Sequence, residues 1–233
     1  MLAGRHSIGA GGVGVASPEF VGSRTFTTTS ASTFTVPLTS LTGGLASAPR
    51  TGDVVVAFLL AGSSASISIP AGWSLLVTVN SAGFYATDLF VIYKTMGATP
   101  DTGITIVDGL PFSTRSLSAA VMVYAGASSA APVFATHSGD NVQVDPPSIT
   151  PTMPGSIIIA GGGTCHGRGT QTLSSTEFDG FISAGANSTS DTTVGMGRFA
   201  WVTGAFNPAA FTFSGASDAD AKRTAVSLVL IPA

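Results

Sequence analysis

Two short apolar runs, about a hundred residues apart, constrain the fold of this chain more than any other feature. Thr51–Gly62 and Gly155–Gly163 each begin after a Pro/Gly-rich turn and end on glycine, and each is almost uninterrupted by polar residues. Both runs are too short to span a bilayer and too rich in β-branched residues to favour a helix. The pattern therefore predicts two central β-strands that are buried on both faces.

Similar segments follow the two runs in the same order. They are a turn with an aromatic residue, an aromatic strand, a short apolar–Thr–apolar strand and a closing apolar strand. In the first copy they are Pro70–Trp73, Phe90–Lys94, Ile104–Ile106 and Ala119–Tyr124, and in the second Phe178–Phe181, Gly197–Val202, Phe211–Phe213 and Ala225–Leu230. This repetition predicts a duplicated module whose two copies bury each other's apolar faces.

We predict an all-β protein, a jelly-roll-like antiparallel β-sandwich built from two similar halves. The halves span about residues 50–127 and 151–233, with a proline-rich connector at residues 138–154. The sandwich domain as a whole is expected to cover residues 20–233, after a glycine-rich arm at residues 1–19. No segment has the apolar period and the caps of a helix, so helix content should be very low.

The composition favours a subunit of an assembly over a solitary soluble enzyme. Only 9% of the residues are charged, against roughly 25% in a typical soluble domain. A surface with so few charges is poorly protected against self-association unless partners cover it. We therefore expect a homo-oligomer or a larger assembly.

Charge, cysteine content and hydropathy exclude several classes of function. The formal net charge of −3 leaves no basic footprint for nucleic acid. The single cysteine, Cys165, excludes a framework of intrachain disulfides. No apolar run has the length of a transmembrane helix, and the N-terminal segment lacks the apolar core of a signal peptide. We expect synthesis in the cytoplasm, without membrane insertion.

The N-terminal arm is defined by four glycines: Gly9, Gly11, Gly12 and Gly14. They match a dinucleotide-binding fingerprint, but that motif needs a preceding strand and a following helix, and here Pro18 follows instead. Two interpretations stay open. Met1–Val15 either docks into a groove of a partner, where glycine permits close backbone approach, or lies along its own domain.

Cys165 and His166 are predicted to lie in a glycine-rich loop. Adjacent residues on a strand point to opposite faces, so the two side chains cannot form a nucleophile–base pair there. His137 could approach them, but two histidines and one cysteine without a carboxylate make a poor zinc site. We interpret the segment as a polar loop with an incidental thiol.

No catalytic residue, cofactor site or metal site is predicted elsewhere. The two glutamates, Glu19 and Glu177, lie in unrelated segments, and Asp218 and Asp220 fit a hydrated turn better than a calcium loop. Large aromatic residues such as Trp73 are typical of sandwich cores, although they could also form a sugar-binding platform. A contact surface would then include Trp73, His166 and Arg168.

The order of short motifs resembles that of β-sandwich proteins among the structural proteins of tailed bacteriophages. The motifs are Gly52–Ala57, Pro70–Trp73, Tyr93–Lys94 and Tyr124–Gly126, and the resemblance covers about residues 50–233. The second half departs from the pattern, with Ser156 in place of the acidic residue and Phe181 in place of the tryptophan.

The resemblance implies a non-enzymatic component of the virion. Such a component would be a capsid decoration protein, a fibre or spike head, or a tail or baseplate subunit. Its expected partners are other virion proteins, namely capsid, portal, tail or fibre subunits, and family analogy suggests a trimer. The alternative function is a carbohydrate- or host-surface-binding module that recognises a glycan of the host.

Overall fold

The computed structural model describes residues 16–29, 33–62, 67–81, 86–108, 116–139, 143–166, 171–186, 191–214 and 221–233. In these ranges the regular structure consists of β-strands alone. The strands are β1 (Glu19–Thr29), β2 (Thr33–Pro37), β3 (Val54–Gly62), β4 (Ile67–Ser68), β5 (Ser74–Ser81), β6 (Thr87–Thr95), β7 (Gly103–Asp108), β8 (Ser116–Ala125), β9 (Val133–Gly139), β10 (Ile157–His166), β11 (Leu173–Ser174), β12 (Gly180–Ala186), β13 (Asp191–Ala200), β14 (Thr212–Phe213) and β15 (Lys222–Leu230). Nowhere in the described ranges is there a helix with the length and apolar character needed to cross a membrane.

Two five-stranded antiparallel sheets form the centre of the molecule. The first has the order β1-β8-β3-β6-β5, and the second, read in the matching direction, has the order β9-β15-β10-β13-β12. Each strand of one sheet thus has an equivalent in the other, and β3 and β10 are the equivalent central strands. The all-β antiparallel fold is confirmed, and the shared strand order is the one that a duplication predicts. The jelly-roll connectivity stays a prediction.

The two large sheets pack face to face and are each covered on the outside. Val56, Phe58 and Leu60 of the first sheet share a core with Ile159 and Val226 of the second. On the outer face of the first sheet, a second core includes residues of the small sheet β2-β7-β4. The two-stranded sheet β11-β14 covers part of the second sheet in the same way. The layers therefore run small, large, large, small.

This layering explains the two apolar runs. Every residue of β3 and every residue of β10 is buried, because neighbouring strands flank them and other layers cover both faces. The prediction of doubly buried central strands is confirmed. The second strand is longer than the apolar run, since it continues beyond Gly163 to His166.

The turns that lead into β3 and β10 are built alike. Gly52 and Gly155 have φ angles of 84° and 80°, a left-handed conformation that glycine adopts without a Cβ clash. The next residue then bonds back to the turn in both halves. Asp53 accepts a hydrogen bond at 2.7 Å from the backbone N–H of Arg50, and the Ser156 hydroxyl donates one at 2.6 Å to the carbonyl of Met153. Ser156 thus retains the turn-closing role with a different bond.

The predicted connector needs a correction at its start. It was expected at residues 138–154, but its first two residues belong to β9, which pairs with β15 along its whole length. The residues of Val133–Gly139 did not predict a strand, because an edge strand with exposed side chains has only a weak apolar pattern. Within the connector, Ile149 forms an antiparallel β-bridge to Phe206.

Several predicted features lie outside the described residues. They are the arm segment Met1–Val15 with Gly9, Gly11, Gly12 and Gly14, the loop residue Arg168, and the turn acids Asp218 and Asp220.

Candidate functional site

Trp73 is a structural residue, which corrects its assignment to a contact surface. Its side chain is 7% exposed and belongs to the outer core of the first half. The indole N–H donates to Asp101 Oδ2 at 2.9 Å, and Lys94 Nζ binds the same oxygen at 2.7 Å. The ring is therefore buried and its polar atom is satisfied, an arrangement typical of a tryptophan in a sandwich core.

Cys165 and His166 lie on β10 and not in a loop, so the predicted loop is wrong at these positions. Cys165 is fully buried and His166 is 1% exposed, so His166 is not part of an outer contact surface either. The segment stays in the strand because Thr164, Cys165 and His166 pair with β13 through Thr193, Thr192 and Asp191. The run of glycines predicted an early end of the strand, whereas pairing with β13 extends it to His166.

The environment of Cys165 disfavours the thiolate. Burial, followed by the negative charges of Asp191 and Asp88, raises the pKa of this thiol from 9.0 to about 12. A reactive cysteine needs the opposite environment, one that stabilises the thiolate at neutral pH. Cys165 is therefore poorly suited to act as a nucleophile.

His166 is part of a buried polar row at the end of β10. Its Nε2 atom lies 3.2 Å from Thr193 Oγ1, and its Nδ1 atom lies 3.9 Å from an oxygen of Asp191. His137 does not approach this row. His137 pairs with Ala225 of β15, and Ala225 pairs with Gly162 of β10. His137 is therefore two strands away from β10, level with a residue four positions before His166. Within the described ranges no three His, Cys, Asp or Glu side chains are placed to hold a metal.

Buried hydroxyl groups join the two large sheets near the same end. Thr87 Oγ1 of β6 donates to the Lys222 carbonyl at 3.0 Å and accepts a hydrogen bond from the Cys165 backbone N–H at 2.9 Å. Ser118 Oγ of β8 donates to the carbonyl of Thr192 at 2.9 Å. Since these bonds are directional, they set how one sheet lies on the other, which an apolar contact alone does not.

The two glutamates lie in different segments of the chain, one in strand β1 and one in a loop of the second half. Glu177 accepts a hydrogen bond from the Ala209 backbone N–H at 2.6 Å, which braces a loop of the second half. Glu19 begins β1 and pairs with Ala125 in the first half.

The outer edge of β9 is an unpaired strand edge in the described residues, and we take it as the candidate functional site. In the described part of the chain, β9 pairs only with β15. Its side chains are exposed or half-buried along the whole strand, and Val133 and Phe134 are 67% and 40% exposed. An edge strand offers a row of backbone donors and acceptors to any further strand.

β9 lacks the charged residues and prolines that commonly protect a strand edge, and beyond β15 its own chain contacts it at His137, whose Nδ1 lies 3.0 Å from the Asp145 carbonyl oxygen. Val133–Gly139 contains no Asp, Glu, Lys, Arg or Pro, the residues that commonly block strand addition. β1, the equivalent strand of the first sheet, is covered by its own chain. Ser23 exchanges backbone hydrogen bonds with Thr42, and Ala46 donates to the carbonyl of Val21 at 3.0 Å. The two equivalent edges therefore differ in what they can bind.

No protein-family model, curated protein or solved structure matches the chain. The function of the β9 edge is therefore inferred from its own residues and geometry.

Proposed function

We propose that this protein is a non-enzymatic structural component of a bacteriophage particle. It acts by associating with copies of itself and by docking onto other virion proteins. The open edge of β9 carries the self-association part of the proposal, and the motif resemblance carries the placement in a virion.

A second copy of the same strand is a suitable partner for β9. Two copies can pair antiparallel about a two-fold axis, so that each strand completes the edge of the other and the second sheet continues across both subunits. No fixed charge opposes its own copy in such a pairing, because Val133–Gly139 has none. Association also covers Val133 and Phe134, which are unusually exposed for large apolar side chains.

The low charge of the whole chain supports the same proposal. With 9% charged residues, the surface has little electrostatic repulsion to keep copies apart. Docking to capsid, portal, tail or fibre subunits is proposed to use the segment Met1–Val15.

A charge placed on the β9 edge tests self-association. Wild-type protein should show concentration-dependent association in analytical ultracentrifugation. Thr136→Lys, at an exposed position in the middle of β9, should shift the population to monomer, because lysine blocks strand addition at an edge. Thr27→Lys, at an exposed position of β1, is the matched control and should associate like wild type. A monomeric wild type, or equal association of both variants, would contradict the proposed edge.

Deletion of Met1–Val15 tests docking to other virion proteins. The truncated chain should unfold at the same temperature as the full chain, because the sandwich core begins at Val21. It should be missing from purified particles in a quantitative mass-spectrometric assay. Normal incorporation of the truncated chain would rule out this docking role, and absence of the full chain from particles would rule out the virion placement.

A further inference from the structure

A cleft opens where edge strand β1 of the first sheet lies beside edge strand β12 of the second. It has a volume of about 290 Å³. The residues that matter for its chemistry come from both halves: Phe20, Ser23, Thr42, Asp179, Ile182 and Arg198. The cleft therefore exists only in the assembled pair of halves.

Arg198 is held in a fixed orientation in this cleft. Its guanidinium carbon lies 4.1 Å from the centre of the Phe20 ring, so the cation stacks on the aromatic face. Gly180 lies against the same side chain, and a Cβ at Gly180 would lie 2.9 Å from Arg198 Nε. The guanidinium is thus packed against an aromatic ring and against a backbone that has no side chain.

The donors of this guanidinium have no protein acceptor among the described residues. Arg198 Nε is buried without a hydrogen-bond partner there, and the side chain forms no ion pair in the same ranges. Asp179, the acidic residue of the cleft, instead accepts a hydrogen bond from the Ala200 backbone N–H at 3.0 Å. Arginine has five N–H donors, so a pre-oriented arginine without acceptors is suited to bind an anion.

We infer that the cleft binds a small ligand through a carboxylate group that pairs with Arg198. The planar fork of a guanidinium matches the two oxygens of a carboxylate. Asp179 lines the same cleft, so a singly charged carboxylate is repelled less than a doubly charged phosphate. Phe20 and Ile182 supply apolar walls for the rest of the ligand, and Ser23 and Thr42 also line the cleft.

This inference is independent of self-association through β9. β12 and β9 are the opposite edges of the second sheet. Loss of ligand binding therefore need not alter the oligomeric state, and a monomer can still bind the ligand.

Titration calorimetry on the full chain, supported by NMR, tests the inference with two carboxylates and two comparators. D-glucuronate represents an acidic sugar, and the N-acetyl α-methylamide of glutamate, which has a single carboxylate, represents an acidic side chain. Inorganic phosphate and neutral glucose are the comparators. At least one carboxylate should bind saturably, with phosphate at least about tenfold weaker and glucose not binding. The carboxylate that binds more tightly shows whether the ligand is an acidic sugar or an acidic side chain. Failure of both, or phosphate binding as tightly as they do, would overturn the inference.

Three variants separate charge from geometry. Arg198→Met keeps the apolar stem and should weaken carboxylate binding at least about tenfold. Gly180→Ala keeps the charge but displaces the guanidinium, and it should also weaken binding. Asp179→Asn removes the opposing charge and should strengthen it. Each variant is first checked for a wild-type unfolding transition, and unchanged affinity in both Arg198→Met and Gly180→Ala would refute the site.

Discussion

β3 and β10 occupy the same place in their sheets, but their side chains differ where the sheets meet. At the positions where β3 has Phe58 and Leu60, β10 has Gly161 and Gly163. A Cβ at Gly161 would clash with the Phe58 ring, and one at Gly163 would lie 2.6 Å from Leu60 Cδ2. The large side chains of one half therefore fill the space that glycines leave in the other. Two similar halves pack closely because they are not identical.

The outer edges show a second difference between the halves. After β2, the chain of the first half returns along β1 and pairs with it at Thr42. The corresponding chain of the second half instead pairs at Ile149 with Phe206, and packs in a small cluster with Ile158 and Val229. That route covers the outer face of the second sheet, and in the described residues it leaves β9 without a second strand.

Removing the Phe58 ring from its contact with Gly161 should have the largest effect on stability. Phe58 is completely buried between the sheets, so Phe58→Ala should lower the free energy of unfolding by about 3–5 kcal/mol. Leu45→Ala is the control, since Leu45 is 59% exposed and should change stability by no more than about 0.5 kcal/mol. Urea denaturation measures both. Equal costs for the two variants would show that the halves do not meet at Phe58.

Enlarging Gly161, the small residue of this contact, should also destabilise the fold. Gly161→Ala places a methyl group against Phe58 and 2.8 Å from the carbonyl of Gly195, and should cost about 1–3 kcal/mol. In the Phe58→Ala background the same change should cost less by at least about 0.5 kcal/mol, because the ring no longer opposes the methyl group. Strict additivity in this double-mutant cycle would contradict the proposed fit.

The equivalent turns before β3 and β10 are closed by the Asp53 carboxylate in the first half and by the Ser156 hydroxyl in the second. Asp53→Ala removes a buried carboxylate bond to the Arg50 N–H and should cost about 1.5–3 kcal/mol, whereas Ser156→Ala should cost about 0.5–1.5 kcal/mol. Thermal unfolding of the two variants measures the difference. A larger cost for Ser156→Ala would reverse the assignment of the stronger cap.

The thiol of β10 should produce the smallest effect, and only in alkali. Burial raises the pKa of Cys165 from 9.0 to about 12. Between these values the unfolded chain has lost the proton and the folded chain has kept it, so stability is complete below pH 9 and falls as the pH rises toward 12. At pH 10, wild type should lose about 1 kcal/mol more than Cys165→Ala relative to pH 7. Parallel losses in the two proteins would contradict a buried thiol.

The elements that the sequence predicted well are those with strong local patterns. The runs around Val56 and Ile159 are continuous because both faces of their strands are buried, and a strand buried on both faces needs an apolar or small residue at nearly every position. β9 was not predicted because the side chains of an exposed edge strand need not be apolar, so its sequence has almost no apolar pattern. Trp73 shows the same limit for sites, since the residue type fits a core and a sugar platform equally well, and only its contact with Asp101 separates the two.

The cleft at Arg198 could not be predicted in this way. Its walls come from β1, β12 and β13, and Phe20 and Arg198 are far apart in the chain. Nothing around either residue in the sequence indicates that a guanidinium will stack on that ring.

The amino-acid sequence by itself determined the all-β class, the two doubly buried strands and the repeated order of segments. These follow from local periodicity and turn chemistry, which each short stretch carries independently of the rest. The tertiary structure alone decided which strand edge is left open, which polar groups are buried and where Arg198 meets Phe20. Such features depend on contacts between distant residues, and the free energy of those contacts exists only once both halves have packed together.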